Sequence, residues 1–170
     1  MNKKILSLTT TLLLVLSFAS CGKRNTPTTD RGVVIEGIRW ATRNIDAPGT
    51  FTKNSEDVGG FFNWEEAQNA CPQGWRVPTR DEFQSLIDAG YEWTTQNDVF
   101  GGLFGSGRNQ VFLPAAGNDR VPDLAGYLGM YWSSTSDEMN LRRRLAFDSF
   151  EVNVFLDRYS LGSSVRCVAK

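Results

Sequence analysis

The stretch Ala70-Cys71-Pro72-Gln73-Gly74-Trp75-Arg76-Val77-Pro78-Thr79-Arg80-Asp81-Glu82-Phe83 carries the local signals from which the fold can be read. Pro72 lacks the amide a helix needs and Gly74 tolerates the left-handed backbone that follows a helix end, so a helix entering from the left stops here. Thr79, followed three positions later by Glu82, is a capping box that opens the next one. To the left, Asn63 and Glu66 repeat the box, and Trp64, Ala67, Ala70 and Cys71 fall along one helical face. To the right, Phe83, Leu86 and Ile87 give a second apolar face that ends at Gly90. Asp81 and Glu82 resemble a catalytic pair only by adjacency. In a first helical turn their carboxylates offset the helix dipole, and capping is the expected role.

Beyond these two short helices the chain reads as strand. Val33-Val34-Ile35 and Gly37-Ile38-Arg39-Trp40-Ala41 predict a hairpin around Glu36-Gly37, whereas residues 44–60 read as polar and irregular. After Gly90 come short β-type runs: Tyr91 to Trp93, Val111 to Leu113, Tyr127 to Trp132, Leu145 to Phe147, Val152 to Val154 and Ser164 to Val168. Gly101 to Gly107 reads as a glycine-rich loop, and no Lys-Ser/Thr follows it to make a phosphate cradle. The expected class is therefore α+β, with two short helices in the first half and antiparallel sheets with long loops in the second.

The N-terminus carries a different message. Asn2-Lys3-Lys4 and the apolar run Ile5 to Ala19 read as a secretory signal, too short to span a bilayer. The sequence Leu16-Ser17-Phe18-Ala19-Ser20-Cys21-Gly22 resembles a lipobox in the loose form of Bacteroidetes-type lipoproteins. This resemblance implies residues 1–20 as signal peptide, Cys21 as the lipidated (palmitate-bearing) N-terminus, and attachment to the outer membrane, on its periplasmic or its cell-surface face. Residues 21–32 are polar and read as a flexible tether, leaving 33–170 as the domain. With Cys21 lipidated, Cys71 and Cys167 are the remaining cysteines of an exported chain, and a disulfide between them is expected.

Composition narrows the function classes. The 170 residues are 41% apolar and contain 16 Gly, 6 Pro and no histidine. A mature chain of 150 residues suffices for one domain. Without histidine there is no Ser-His-Asp or Cys-His catalysis and no imidazole metal site. Once Lys3 and Lys4 leave with the signal, 16 cations face 19 anions, a net charge of −3. No basic field exists to recruit nucleic acid.

Several blocks in fixed order resemble one family. Gly37-Ile38-Arg39-Trp40 with Asn44, the Ala70-to-Thr79 stretch with Phe83 and Leu86, Leu113-Pro114-Ala115-Ala116-Gly117, Gly129-Met130-Tyr131-Trp132-Ser133-Ser134-Thr135 and Gly162-Ser163-Ser164-Val165-Arg166-Cys167-Val168 are similar to the Fibrobacter succinogenes major paralogous domain. The resemblance implies a C-type-lectin-like fold and the same Cys71–Cys167 pairing. The calcium-dependent sugar motifs of such lectins are replaced here by Leu113-Pro114-Ala115 and Trp132-Ser133-Ser134, so no metal and no cofactor is expected. Formylglycine-generating enzymes of related fold need free active-site cysteines, which this chain commits to a bridge.

The segment between the last two blocks, residues 140–163, also resembles the C-terminal variable region of proteins diversified by retroelements. Randomising adenines in AAC-type codons cannot yield Lys, Gln, Glu, Met or Trp, and between Asn140 and Ala169 only Glu151 belongs to that set. With Leu145 and Phe147 inward, alternation turns Arg144, Ala146 and Asp148 outward, with Phe150 in the same register. Phe155, Leu156, Asp157, Tyr159 and Leu161 read as a loop. Together with Arg142 these are the candidate ligand contacts, because exposed aromatics and arginines suit recognition. The alternative is that Phe150, Phe155, Leu156 and Leu161 are core and the arginines a solvated strand.

The expected function is ligand binding or display by a lipid-anchored envelope protein without enzymatic activity. Its partners would be the membrane, through the lipid, and a protein, glycan or phage ligand, with no nucleic acid. The alternatives are a structural or adhesin-like envelope or pilus-tip component, and a polysaccharide-acting enzyme using carboxylates such as Asp119, Asp123 and Asp137.

Overall fold

The computed structural model describes residues 29–137, 139, 141–157 and 161–170. The expected signal peptide, Cys21 and most of the tether lie outside them, as does Tyr159. Strands make up 47% of the structure, all paired in antiparallel sheets, with two helices, which places it in the α+β to mostly-β range. No helix among the described residues is long and apolar enough to cross a membrane.

The strands are β1 Val33–Ile35, β2 Ile38–Ala47, β3 Thr50–Phe51, β4 Trp75–Arg76, β5 Tyr91–Gln96, β6 Val99–Ser106, β7 Asn109–Pro114, β8 Gly129–Ser136, β9 Arg142–Phe147, β10 Val152–Asp157 and β11 Arg166–Ala169. The helices are α1 Trp64–Ala67 and α2 Arg80–Asp88. One sheet runs β1-β2-β11-β4 with β3 added to β2, so the last strand of the domain pairs with its first long strand, β2. Two three-stranded sheets, β5-β6-β7 and β10-β9-β8, complete the fold. Both helices begin with the expected capping box, Asn63 with Glu66 and Thr79 with Glu82. Burial pushes the Glu82 carboxyl up, but hydrogen bonds from Arg76 and the Thr79 amide outweigh it and hold it below its ordinary value.

Two cores share a wall. Trp40, Phe83, Leu86, Phe104, Tyr131, Leu145, Phe147 and Val168 belong to one; Ala41, Ile45, Phe62, Ala67, Trp132, Val165 and Cys167 belong to the other. The adjacent pairs Trp40/Ala41, Tyr131/Trp132 and Cys167/Val168 each divide between them, since successive strand residues point to opposite faces. The Cys71–Cys167 disulfide closes the second core across 96 residues of sequence.

Between the cores lies Arg166, wholly buried. Its Nε donates to Asn44 Oδ1 at 3.0 Å, one terminal nitrogen to the Ala41 carbonyl at 3.0 Å and the other to the Phe112 carbonyl at 3.1 Å. Asn44 Nδ2 in turn donates to the Val58 carbonyl and to the Tyr131 hydroxyl, which donates to the Pro114 carbonyl at 2.8 Å. Burial lowers the Arg166 pKa from its ordinary value and pushes the Tyr131 phenol up to about 12, with Arg166 pulling the phenol the other way.

The structure corrects the sequence reading in four places. The glycine-rich stretch from Gly101 is strand β6, the middle of its sheet. A Cβ on Gly101 would lie 2.4 Å from the Leu113 carbonyl oxygen, and one on Gly102 would lie 2.7 Å from the Phe104 ring. These glycines permit close packing within the sheet rather than loop freedom. The polar segment 44–60 is ordered at its start as the end of β2 and as β3, because Asn44 and Ile45 are buried against β11. The strand expected from Tyr127 begins at Gly129. Asp30, at the end of the expected tether, is docked: its carboxylate accepts hydrogen bonds from the Gly32 and Thr42 amides, and Arg43 pairs with it at 3.3 Å.

Replacing Arg166 with Met strands two buried carbonyls and Asn44, and should lower stability by about 3 kcal/mol or more, read as a lower urea midpoint at unchanged slope. Reducing the disulfide, or the Cys71→Ser/Cys167→Ser double variant, should cost about 2–4 kcal/mol in the same assay.

Candidate functional site

Strands β8, β9 and β10 form the sheet that carries most of the expected ligand contacts. Their register sets Met130, Ala146 and Asn153 in one row and Trp132, Arg144 and Phe155 in the next. Opposite residues of an antiparallel pair share a face. Arg142, Arg144, Ala146, Asn153, Phe155 and Asp157 therefore lie on one side. Tyr131, Leu145 and Phe147 lie on the other, in the first core, with Val152 and Val154 packed against it. The expected inward placement of Leu145 and Phe147 holds, and Ala146 is half-buried on the opposite face.

Phe155 and Leu156 are not in a loop. Both belong to β10, where strand pairing with Arg144 and Arg143 continues the alternation beyond Val154. Phe155 is 38% exposed on the Ala146 side. Leu156 is half-buried on the Val152 and Val154 side, so it does not share a surface with Phe155. Asn153, exposed between Ala146 and solvent, belongs to the surface and was missed; counting back two from Phe155 would have found it.

The arginines are largely engaged within the protein. Arg144 lies 3.0 Å from Asp157 Oδ2, a charge contact without hydrogen-bond geometry, and its guanidinium sits over the Trp132 ring at 5.9 Å. Burial pulls the Arg144 pKa down while Asp157 pulls it up. Asp157 is itself buried, so its expected role as an exposed contact is corrected: the carboxylate serves Arg144 inside the sheet edge. Arg142 lies 5.4 Å from the centroid of the Trp64 ring and pairs with Glu65.

The β9–β10 turn has the opposite character. The Asp148 carboxylate accepts the Phe150 amide at 2.7 Å and the Glu151 amide at 3.0 Å, and the Asp148 amide donates to the Glu151 carbonyl at 2.9 Å. The Tyr91 hydroxyl donates to the Asp148 carbonyl. Asp148 thus shapes the turn rather than offering its carboxylate outward. At the tip Phe150 is 95% exposed. Leu161 is half-buried beside Gly162, whose amide donates to Asp119.

Among the described residues no cluster of three Cys, Asp or Glu side chains is placed to hold a metal. Of the carboxylates considered for catalysis, Asp119 accepts the Gly162 amide and Asp137 the Met139 and Leu141 amides. Both organise loops.

Removing one member of the Arg144–Asp157 pair leaves the other charge buried. Arg144→Met and Asp157→Leu should each destabilise the protein, and the double variant by less than their sum, as a double-mutant cycle in urea will show. Comparison with protein-family models, with curated proteins and with solved structures finds no match for this chain.

Proposed function

We propose that the protein is a lipid-anchored outer-membrane binding or display module of the C-type-lectin-like kind, with contacts supplied by the β9–β10 turn and the adjoining sheet face. The observation that carries this reading is Phe150. A large apolar side chain left 95% exposed gains nothing for folding, yet it is held on a turn made rigid by Asp148 and anchored to β5 through Tyr91. Phe155 and Asn153 lie on the open face of the strand that follows. Rigid placement lowers the entropy lost on binding, and exposed aromatic anchors supply the contact area.

The lipobox-like sequence ending at Cys21 supports the anchor, and the scarcity of Lys, Gln, Glu, Met and Trp after Asn140 supports diversification of this segment. The polysaccharide-enzyme alternative is weakened by the structural engagement of Asp119 and Asp137. The structural-component alternative uses the same surface with a fixed envelope neighbour.

A photo-crosslinking residue placed at position 150 in intact cells should give an adduct that the same residue at Glu36, in the β1–β2 turn, does not. No adduct at position 150 removes the binding reading. A single envelope protein captured in constant proportion selects the structural-component alternative.

A further inference from the structure

A cleft of about 390 Å³ opens between the β5–β6 hairpin, residues 125–127 and the β9–β10 turn. Its lining is Trp93, Phe100, Ala125, Gly126, Tyr127 and Ser149. This is a volume suited to a small ligand or head group. In the β5–β6 register Trp93 opposes Gly102 and Phe100 opposes Thr95, so both rings stand on the same face. The rings are parallel within 14° with centroids 6.2 Å apart, an offset arrangement that leaves ring face uncovered. Phe100 is 48% exposed and Tyr127 72%. Trp93 also packs edge-on against Phe147, which stacks on the buried Tyr131, so the cleft wall is the outer end of an aromatic ladder rooted in the core.

Three ring faces elsewhere carry a cation of the protein's own: Arg43 over Phe51, Arg142 over Trp64 and Arg144 over Trp132. Among the described residues no such cation stands over Trp93, Phe100 or Tyr127, and none of the lining residues is basic. The Asp148 carboxylate, bonded to the Phe150 and Glu151 amides, is not part of the lining and acts on the cleft as a field rather than a contact. Asp148 adjoins Ser149, and its charge reaches Tyr91, two residues from Trp93 on the same strand face, where it adds to burial in raising the phenol pKa. Ring faces carry negative quadrupole potential and attract cations, most strongly when the cation sheds water easily. A neutral apolar ligand would use the rings but gain nothing from the Asp148 field, and an anion would be repelled by both.

We infer that this cleft binds a quaternary or methylated ammonium group, held against Trp93, Phe100 and Tyr127 with Asp148 as the neighbouring negative charge. The cleft borders the β9–β10 turn through Ser149 but takes its rings from β5, β6 and Tyr127, so it does not depend on the display reading.

The test uses the full chain in a maltoside detergent, with choline and tetramethylammonium titrated and followed by saturation transfer to their methyl protons. Both should bind saturably, and 3,3-dimethylbutan-1-ol, the uncharged isostere of choline, should bind at least about tenfold more weakly. Tyr127→Ala and Phe100→Leu, both at exposed positions, should each weaken choline about tenfold with the melting curve unchanged. Equal binding of the neutral alcohol, tighter binding of guanidinium than of choline, or no saturable binding of choline overturns the proposal. Loss of crosslinking at position 150 would leave this result untouched, so the two readings fail separately.

Discussion

A guanidinium without access to water sits where the first long strand and the last strand of the domain meet. Among the described residues no carboxylate touches Arg166; an amide oxygen and two backbone carbonyls hold it, drawn from β2 and β7. Burying such a charge is costly unless its donors are met, and here each nitrogen finds an acceptor. The consequence is positional. Ala41, Asn44, Phe112, Pro114 and Tyr131 must all occupy their places for the network to close, so three sheets are set relative to one another by a handful of hydrogen bonds. The disulfide a single residue away closes the neighbouring core, on the opposite face of the same strand.

That frame explains why a surface at the far side of β8 can be presented rigidly. Tyr131 ends its side chain in the polar network and lays its ring against Phe147, while the next residue, Trp132, turns into the other core and donates to the Phe62 carbonyl at 2.7 Å. Strand β8 is thereby fixed on both faces. Strands β9 and β10 are laid onto it by antiparallel pairing, and the turn between them inherits its position from Asp148 and Tyr91. Phe150, Asn153 and Phe155 project from that frame outside both cores, whereas Val152 and Val154 on the other face pack against the first.

Local signals were read well where the physics is local. Asn63 with Glu66 and Thr79 with Glu82 close their capping boxes within four residues, and Glu36-Gly37 forms its turn with both residues at positive φ. The cysteine pair followed from elimination. The glycines of β6 misled because glycine has two meanings, chain freedom and close approach, and only the position of Leu113 and Phe112 decides between them. Alternation is legible as far as Phe147, but a loop expected after Val154 hides it, and Phe155 and Leu156, both expected as ligand contacts, lie on opposite faces of β10.

For the candidate site the division is sharper. Composition, the absence of histidine, two helices, antiparallel strands and the alternating register of β9 follow from the sequence alone, because each depends on residue type or on neighbours a few positions away. Whether an arginine reaches outward or is spent inside the protein depends on partners distant along the chain. Arg142 meets Trp64 and Glu65, Arg144 meets Trp132 and Asp157, and Phe150 is left 95% exposed among the described residues. Those outcomes were decided by tertiary structure, since exposure is a property of what packs against a side chain and no single stretch of sequence contains both sides of that contact.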